Sequence, residues 1–326
     1  MDFKSKLNQK DINKNTPRLK VLLKRNSIIE SIHNVHAVVC DKKGRVLMSA
    51  GNSEYSTFIR SALKPFQTIP FISSGAYKKV MCDEKVLAIA CGSHSGTKTH
   101  AREAFKLLWH SDVAVEHLQC PIPAEKTSPL EHNCSGKHAA FLATCMKMNW
   151  QLDTYLEADH PLQIEINRKV AELLKIESKD LTLAIDNCGS PTLMLKLYQM
   201  AFLYAQLNGS SQSELEQISR AMIRQPELVA GEGRFDTEVI KRSHGQLICK
   251  GGSEGIQCLS KIGDCMGIAI KAEDGSRRAK HAVALHLLKQ LEWITPASLE
   301  ELEEKVMVIN PEVKLEVKGE LRFQEK

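Results

Sequence analysis

Two Ser-x-x-Lys tetrads in this sequence could each supply a nucleophile together with its base. One pairs Ser61 with Lys64, and the other pairs Ser95 with Lys98. In a helical turn, residues three positions apart are neighbours. A lysine that has lost its proton can take the hydroxyl proton of serine and so activate the oxygen for attack on a carbonyl. Both residue types are common, so the surrounding sequence must decide between the tetrads.

Ser61 stands just before a predicted helix in which Pro65 occupies the first turn, where its missing N–H is no loss. That position suits a nucleophile, because free N–H groups at a helix N-terminus can hold an oxyanion. An ordinary N-cap serine is the open alternative. The polar loop from Ser93 to Gly96, which contains His94, has the same two interpretations.

Two further loops carry charges that suit an amino-acid substrate. Lys250 ends a predicted strand and is followed by two glycines, so it could bind a carboxylate where the backbone leaves room. The loop at 231–236 combines Glu232 and Arg234, which could bind the ammonium and carboxylate groups of an amino acid. A plain turn remains the alternative at both places.

Two cysteines have settings typical of reactive or metal-binding thiols. Cys134 opens a predicted helix, where the N-terminus lowers the pKa of a thiol, and Cys188 follows a predicted strand. Either could be a nucleophile or a metal ligand. Two buried structural thiols remain the alternative.

The composition excludes several classes of protein. The 326 residues include 44 Lys and Arg against 39 Asp and Glu, a net charge of +5, and only 5% are aromatic, so nucleic acid is not an expected partner. No run reaches the roughly 18 apolar residues of a membrane span, and the polar start lacks a secretory signal. We therefore expect a cytoplasmic protein, no membrane partner, and ten cysteines present as reduced thiols.

Hydrophobic periodicity predicts strands near both ends of the chain and helices between them. Early and late strands must then pair across the sequence, leaving the middle as a large, mostly helical insertion. We expect a polar tail at 1–18, an α/β sheet domain from 19–51 and 245–293, a mostly helical domain at 52–244 and a peripheral extension at 294–326. The predicted elements are a hairpin at 36–48, helices at 84–90, 97–109, 137–148, 161–176, 214–224 and 277–291, and strands at 181–186, 246–250, 255–259 and 266–271.

Seven segments, taken in order, resemble the L-asparaginase II family of the Rhizobium etli inducible type. They are RSALKPFQ at 60–67, CGSHSG at 91–96, NCSGKHA at 133–139, DNCGSP at 186–191, ELVAG at 227–231 with RF at 234–235, KGGSEG at 250–255 and IKAEDG at 270–275. An ordered series of this kind is far more specific than a single tetrad. The resemblance runs from about residue 21 to 291.

The resemblance implies an α/β fold similar to serine β-lactamases and glutaminases, with an antiparallel sheet flanked by helices. It also implies hydrolysis of L-asparagine to L-aspartate and ammonia through an acyl-enzyme. The catalytic residues would be Ser61 as nucleophile, Lys64 as its base, and Ser93 with Lys250 as a second pair, for which Lys271 is an alternative lysine. Which serine attacks first stays open, as does another amide such as glutamine or a non-catalytic binding role. We expect substrate binding by Arg60, His94, Asp186, Arg234 and Lys271, which lie in matched segments, and by Glu232 of the charged loop at 231–236.

The same family resemblance implies a zinc ion held by two cysteines and a lysine near the substrate. The matching residues are Cys134, Lys137 and Cys188. A lysine must be neutral to bind zinc, so such a site would bind the metal more weakly at low pH. We also expect a homodimer, the commonest assembly of soluble enzymes.

Overall fold

A computed structural model describes residues 16–81, 83–208 and 212–324. Most of the polar tail expected at 1–18 lies outside these residues. The described chain forms two compact units. Unit 1 draws on residues 1–59, 195–209 and 242–326, and unit 2 on residues 60–194 and 210–241. Within the described residues, no helix combines the length and apolar character that crossing a membrane requires.

Unit 1 is built on an antiparallel sheet whose strands come from both ends of the chain. Its order is β10-β11-β1-β2-β9-β8-β7, and β3 pairs with β2 and β12. The strands are β1 (Leu19–Arg25), β2 (Ile28–Asp41), β3 (Val46–Ala50), β7 (Leu247–Gly251), β8 (Ile256–Lys261), β9 (Met266–Ala272), β10 (Val308–Asn310), β11 (Val313–Lys318) and β12 (Arg322–Phe323). The short strand β4 (Ser56–Phe58) follows β3 in the chain.

The long strand β2 joins the early and late parts of the sheet. Residues 28–35 pair with β1 and residues 37–40 with β3, while residues 35–41 pair with β9 along the opposite edge. The mixed α/β architecture and the pairing of early with late strands were therefore predicted correctly. The predicted hairpin is the β2–β3 pair, whose turn includes Gly44 in the left-handed region at φ 82°.

Unit 1 also contains segments that the sequence analysis placed elsewhere. Helix α8 (Leu197–Gln206), expected within the helical domain, packs on β9 and β2. The end of the chain adds helix α13 (Pro296–Met307) and strand β11, which pairs with β1 along six residue pairs. Helix α12 (Arg277–Gln290) packs on β8 and β9. Because Gly267–Ala272 is buried at every position, β9 is covered on both faces.

Unit 2 is mostly helical, as the periodicity predicted. Its longer helices follow the predicted ranges closely, and its short ones were not resolved by the sequence pattern. The helices are α1 (Lys64–Gln67), α2 (Ile69–Ser73), α3 (Ala76–Lys79), α4 (Glu84–Cys91), α5 (Lys98–His110), α6 (Ser135–Met148), α7 (Pro161–Leu174), α9 (Ser213–Arg224), α10 (Pro226–Val229) and α11 (Phe235–Arg242).

A hairpin interrupts these helices. Strand β5 (Thr182–Ile185) was predicted, but its antiparallel partner β6 (Pro191–Lys196) was not. The register pairs Ile185 with Pro191, which leaves the loop 186–190 at the hairpin tip. That loop contains Asp186 and Cys188, so the hairpin sets the position of both.

The contact of α8 with the sheet depends on Gly267. A Cβ atom at this position would lie 2.1 Å from the carbonyl oxygen of Ala201, which is backbone that cannot swing aside. We expect Gly267→Ala to lower the free energy of unfolding by about 2 to 3 kcal/mol, because the helix must move off the strand. Urea denaturation followed by circular dichroism measures this.

Gly263→Ala is the matched control, since its Cβ would meet open space and only its positive φ of 86° is strained. It should cost about 1 kcal/mol. Equal losses in the two variants would contradict the importance of the α8 contact.

Candidate active site

Ser61 and Lys64 lie at the start of unit 2, where a 3-10 turn at Arg60–Leu63 leads into α1. Pro65 occupies the first turn of α1, as predicted, but the N-cap is Leu63. The alternative that Ser61 is an N-cap serine is therefore wrong, because the 3-10 turn shifts the helix start. Residues i and i+3 lie on the same face of such a turn. Ser61 itself is half-buried.

The side chain of Lys64 is buried, with only 1% of the residue exposed, and reaches three oxygen acceptors. Its Nζ atom lies 2.5 Å from Gly92 O, 3.0 Å from Ser93 Oγ and 3.2 Å from Asn133 O. An ammonium group has three N–H donors and no acceptor, so each donor finds one oxygen. Among the described residues, the serine that Lys64 contacts by hydrogen bond is Ser93.

Ser93 is held beside Lys64 by the backbone around it. Its N–H donates to Val229 O at 2.7 Å. The preceding residue must be glycine, because a Cβ at Gly92 would lie 2.5 Å from Leu228 O. The loop after α4 is thereby fixed against the backbone of α10. In the second tetrad Lys98 is exposed, so Ser95 and Lys98 form no buried pair.

His94 is buried in the same loop, and both of its ring nitrogens have protein partners. Gly96 N–H donates to Nδ1 at 3.2 Å, so Nε2 carries the proton and faces Ser135 Oγ at 3.1 Å. Burial, followed by the charges of His100 and Lys64, holds the pKa of His94 well below its ordinary value. These contacts describe a neutral histidine that joins the loop to α6. Its predicted role in substrate binding stays a prediction.

Cys134 caps α6 close to Lys64. A hydrogen bond with Cys188 and the ammonium groups of Lys64 and Lys137 hold the pKa of the Cys134 thiol well below its ordinary value, outweighing its burial. Its backbone N–H donates to His132 Nδ1 at 3.1 Å. Cys134 and Cys188, which the family resemblance grouped as metal ligands, lie close enough to interact in the folded chain.

Lys137 lies one turn into α6 and points at the same sulfur atoms. Its Nζ donates to Cys188 Sγ at 3.2 Å and lies 5.4 Å from the centre of the Phe141 ring. Burial alone would lower the pKa of Lys137, but the adjacent Cys188 and Cys134 outweigh it and raise the pKa. The three residues predicted as metal ligands therefore form one buried cluster next to Lys64.

An ion pair holds the loop that contains Cys188. Arg60 donates from Nε to Asp186 Oδ1 at 2.9 Å and from its guanidinium to Asn187 Oδ1. Arg60 is one of the few non-glycine residues in the left-handed region, with φ 54°. A strained backbone of this kind persists where surrounding contacts impose it. Arg60 and Asp186, both predicted to bind substrate, thus lie at the edge of the cluster and contact each other.

The remaining predicted residues lie in other surroundings. Lys250 on β7 is fully buried in unit 1, where its Nζ donates to Gly251 O at 2.8 Å. Lys271 on β9 donates to Glu254 O at 2.5 Å, and burial lowers its pKa. In unit 2, Glu232 is exposed, while Arg234 contacts Ser95 Oγ at 3.4 Å beside the Ser93 loop. The roles expected for these residues stay predictions.

The sequence analysis missed the residues that surround the sulfur atoms. His138 and Tyr155 are buried against the cluster, and Cys120 lies close enough for Cys134 and Cys188 to affect its pKa, which burial above all raises to about 12. His138 was quoted only as part of a motif. Its position next to Lys137 was the one available signal, since Tyr155 and Cys120 come from segments without a distinctive pattern.

No three His, Cys, Asp or Glu side chains among the described residues converge closely enough to form a metal site by themselves. A metal at the cluster would therefore need Lys137 as a ligand together with the two cysteines.

Comparison with known proteins identifies the family to which the chain belongs. The family model described as L-asparaginase II matches residues 21–323, nearly the whole chain. The chain therefore belongs to the L-asparaginase II family. Membership supports an amidohydrolase, an enzyme that cleaves the C–N bond of an amide. A search of curated proteins finds no significant match to the chain.

Solved structures of the protein Mglu are similar over much of the chain but at low scores. A native form in 4.3 M NaCl has 12% sequence identity and a TM-score of 0.39, and covers 79% of this chain and 61% of that one. A second Mglu structure has 13% identity and a TM-score of 0.40, and covers 80% of this chain and 67% of that one. The glutamate form has 13% identity and a TM-score of 0.38, and covers 80% of this chain and 61% of that one. The chain thus spans about three fifths of the length of the first. The fold assignment rests on the sheet and helices described above.

Lys64 should be important for stability. Lys64→Met removes the Lys64 donor from the buried Gly92 O and one of two donors from Asn133 O, which keeps the backbone N–H of His94 at 3.2 Å. We expect this to lower the free energy of unfolding by about 2 kcal/mol. Urea denaturation measures the change. Ser93→Ala removes one hydrogen bond but no carbonyl partner, so it should cost about 1 kcal/mol or less. A Lys64→Met variant as stable as Ser93→Ala would contradict this account of the buried lysine.

Proposed function

We propose that this protein hydrolyses L-asparagine to L-aspartate and ammonia. The observation that carries the proposal is the 3.0 Å contact of the buried Lys64 Nζ with Ser93 Oγ in a member of the L-asparaginase II family. A lysine placed against a serine hydroxyl in water-poor surroundings is the arrangement that activates a hydroxyl for attack on an amide carbonyl. The partners of both residues support this role.

The two carbonyl oxygens next to Lys64 orient its proton exchange with Ser93. A neutral amine has two N–H groups and one lone pair. If the two N–H groups donate to Gly92 O and Asn133 O, the fourth tetrahedral position of Lys64 Nζ faces Ser93 Oγ. That position holds a lone pair when the amine is neutral and a third N–H when it is protonated. Lys64 can then accept or return a proton without rotating, and no buried carbonyl loses its partner in either state.

Ser61 remains our proposed nucleophile, three residues before Lys64 in a tight turn. It would attack the side-chain amide, form an acyl-enzyme and release ammonia after proton transfer from a lysine, and water would then release aspartate. Ser93, hydrogen-bonded to Lys64, would relay the proton. Lys250, or Lys271 in its place, is the proposed second lysine. Arg60, Asp186, His94, Glu232 and Arg234 are the proposed residues for substrate binding.

The first test is ammonia release from L-asparagine by the purified protein beside its Ser61→Ala and Ser93→Ala variants. We expect the wild type to release ammonia and Ser61→Ala to be slower by about a thousandfold or more, because the loss of a nucleophile removes a covalent step. Mass spectrometry of the quenched reaction should show the acyl group on Ser61. An acyl group on Ser93 would reverse the roles of the two serines.

A substrate panel separates this proposal from its alternatives. Glutamine hydrolysed as efficiently as asparagine would reject the asparagine-specific assignment in favour of a broader Ser–Lys amidohydrolase. Saturable asparagine binding without ammonia release by the wild type would indicate a non-catalytic relative.

We further propose that Cys134, Lys137 and Cys188 bind a zinc ion. The donor set fits, because two cysteine sulfurs are ordinary zinc ligands, a neutral lysine amine can supply a nitrogen with a lone pair, and all three groups are buried together. The 3.2 Å between Lys137 Nζ and Cys188 Sγ is close to the roughly 3.5 Å expected between two ligands of one tetrahedral zinc. When bound, the ion would supply a positive charge that orients or polarises the substrate amide. Lys137 must lose a proton to bind it.

Metal analysis tests the zinc proposal. We expect about one zinc per chain in protein purified without chelator, and loss of that zinc together with weaker substrate binding in Cys188→Ser, because the site would keep only two ligands. Cys145→Ser, a buried cysteine elsewhere on α6, is the control and should retain the metal. Metal-free wild-type protein with full activity would reject the proposal.

Two predictions from the sequence extend the proposal beyond the site. We infer a homodimer and a cytoplasmic location, and we expect no nucleic-acid partner. Sedimentation equilibrium and cell fractionation test the first two.

A further inference from the structure

His138 is a fully buried histidine, next to Lys137 in the chain, that no step proposed above uses. Its ring packs edge-on against Tyr155, with centroids 5.6 Å apart and planes at 89°. Nδ1 lies 2.6 Å from Tyr155 Oη. The other nitrogen, Nε2, is buried and makes no hydrogen bond within ordinary limits to any described residue. An orphaned buried nitrogen calls for an explanation.

The hydrogen bonds of Tyr155 fix which nitrogen of His138 carries the proton. The phenol oxygen accepts the backbone N–H of Gln119 at 3.0 Å, which leaves its own hydrogen to donate. Its other close partner is His138 Nδ1, so Nδ1 must accept. A proton on Nδ1 would leave the phenol hydrogen without an acceptor in a buried place. Nδ1 therefore has the lone pair, and Nε2 has the hydrogen.

Tyr155 is itself held rigidly. It is fully buried, its carbonyl oxygen accepts from Gln163 Nε2 at 2.8 Å, and its ring meets Phe141 at a centroid distance of 6.4 Å. Phe141 also lies against Lys137 and His138. The phenol thus has little freedom to turn away, and the orientation it gives to the imidazole is fixed by the packing of α6.

Cys188 supplies an acceptor close to the Nε2–H group. Burial lowers the pKa of His138 to about 4, and Cys188 lies near enough to the ring to oppose that shift. The same sulfur accepts from Lys137 Nζ at 3.2 Å. A lysine that binds a metal ceases to donate to this sulfur, so the Cys188 thiolate would then depend on a different donor.

We propose that Tyr155 and His138 are positioning residues for Cys188. The relay runs from Gln119 N–H through the Tyr155 hydroxyl to His138, and it presents Nε2–H to the Cys188 sulfur. It rests on the metal site of the proposed function, in which Cys188 is a ligand. Donors of this kind orient a metal ligand, and their loss typically weakens metal binding about 10-fold to 100-fold.

The first experiment uses metal-free protein and therefore does not depend on metal binding. Nitrogen-15 NMR of histidine-labelled wild type, with His138→Gln used to assign the signal, reports which ring nitrogen is protonated. We expect the Nε2–H form. The Nδ1–H form would overturn the relay, because Nε2 would then offer a lone pair and act as a metal ligand itself.

The second experiment measures Co²⁺ affinity by competition with a chromophoric chelator. Tyr155→Phe keeps the ring but removes the hydroxyl that holds Nδ1, and we expect its affinity to fall about 10-fold. His138→Gln places an amide N–H near the position of Nε2, whereas His138→Asn is too short to reach it. We expect His138→Gln to stay within a few-fold of wild type and His138→Asn to lose about 10-fold to 100-fold. Thermal melting by circular dichroism checks that each variant is folded.

The outcomes separate the two proposals. Equal affinities in wild type, Tyr155→Phe and His138→Asn would overturn the positioning role. Equal large losses in His138→Gln and His138→Asn would show that Nε2 binds the metal directly and would overturn it too. A wild type that binds no Co²⁺ would reject the metal site, and with it the positioning of a metal ligand, while the NMR result still decides the tautomer.

Discussion

The arrangement of the site depends on the burial of the Lys64 ammonium among three oxygen acceptors. A buried cation without partners would cost far more free energy than the fold could supply. Gly92 O, Ser93 Oγ and Asn133 O meet this requirement, and they come from two separate loops. Satisfying one nitrogen atom therefore fixes the distance between the Ser93 loop and the start of α6. The side chains at the start of α6, including Cys134 and Lys137, are positioned by the same contacts.

The sequence predicted best the features that local pattern determines. The long helices of unit 2 follow apolar residues three and four apart, and the β2–β3 hairpin follows two apolar runs around Gly44, so both were found. Strand β1 was missed because it gains its identity only by pairing with distant residues. Helix α8 has a buried surface like any interior helix, and nothing local showed that it packs on β9. The likeness to serine β-lactamases stays a prediction.

The site was predictable where the type of a residue and its local sequence indicate a chemical role. It was less predictable where the partner of a residue depends on the folded geometry. The grouping of Cys134 with Cys188 was expected from the family resemblance, whereas their local settings alone left two buried structural thiols as the alternative. The contact of Lys64 with Ser93 was not, because sequence spacing favours the nearer Ser61. Tyr155 could not have been found at all: its role comes from one hydroxyl that packing aims at His138.

The cluster in unit 2 is assembled from segments near residues 60, 93, 134–138 and 188, each on a different element or loop. Bringing such distant segments together costs loop-closure entropy, whereas a helix forms between neighbouring residues and does not have this cost. These contacts should therefore form late in folding. Until then Cys134 lacks the neighbours that lower its pKa and behaves as an ordinary thiol. A nascent or partly folded chain is thereby spared the reactivity of the finished site. The chemistry of the cysteine is therefore acquired only when α6 and the β5–β6 hairpin come together.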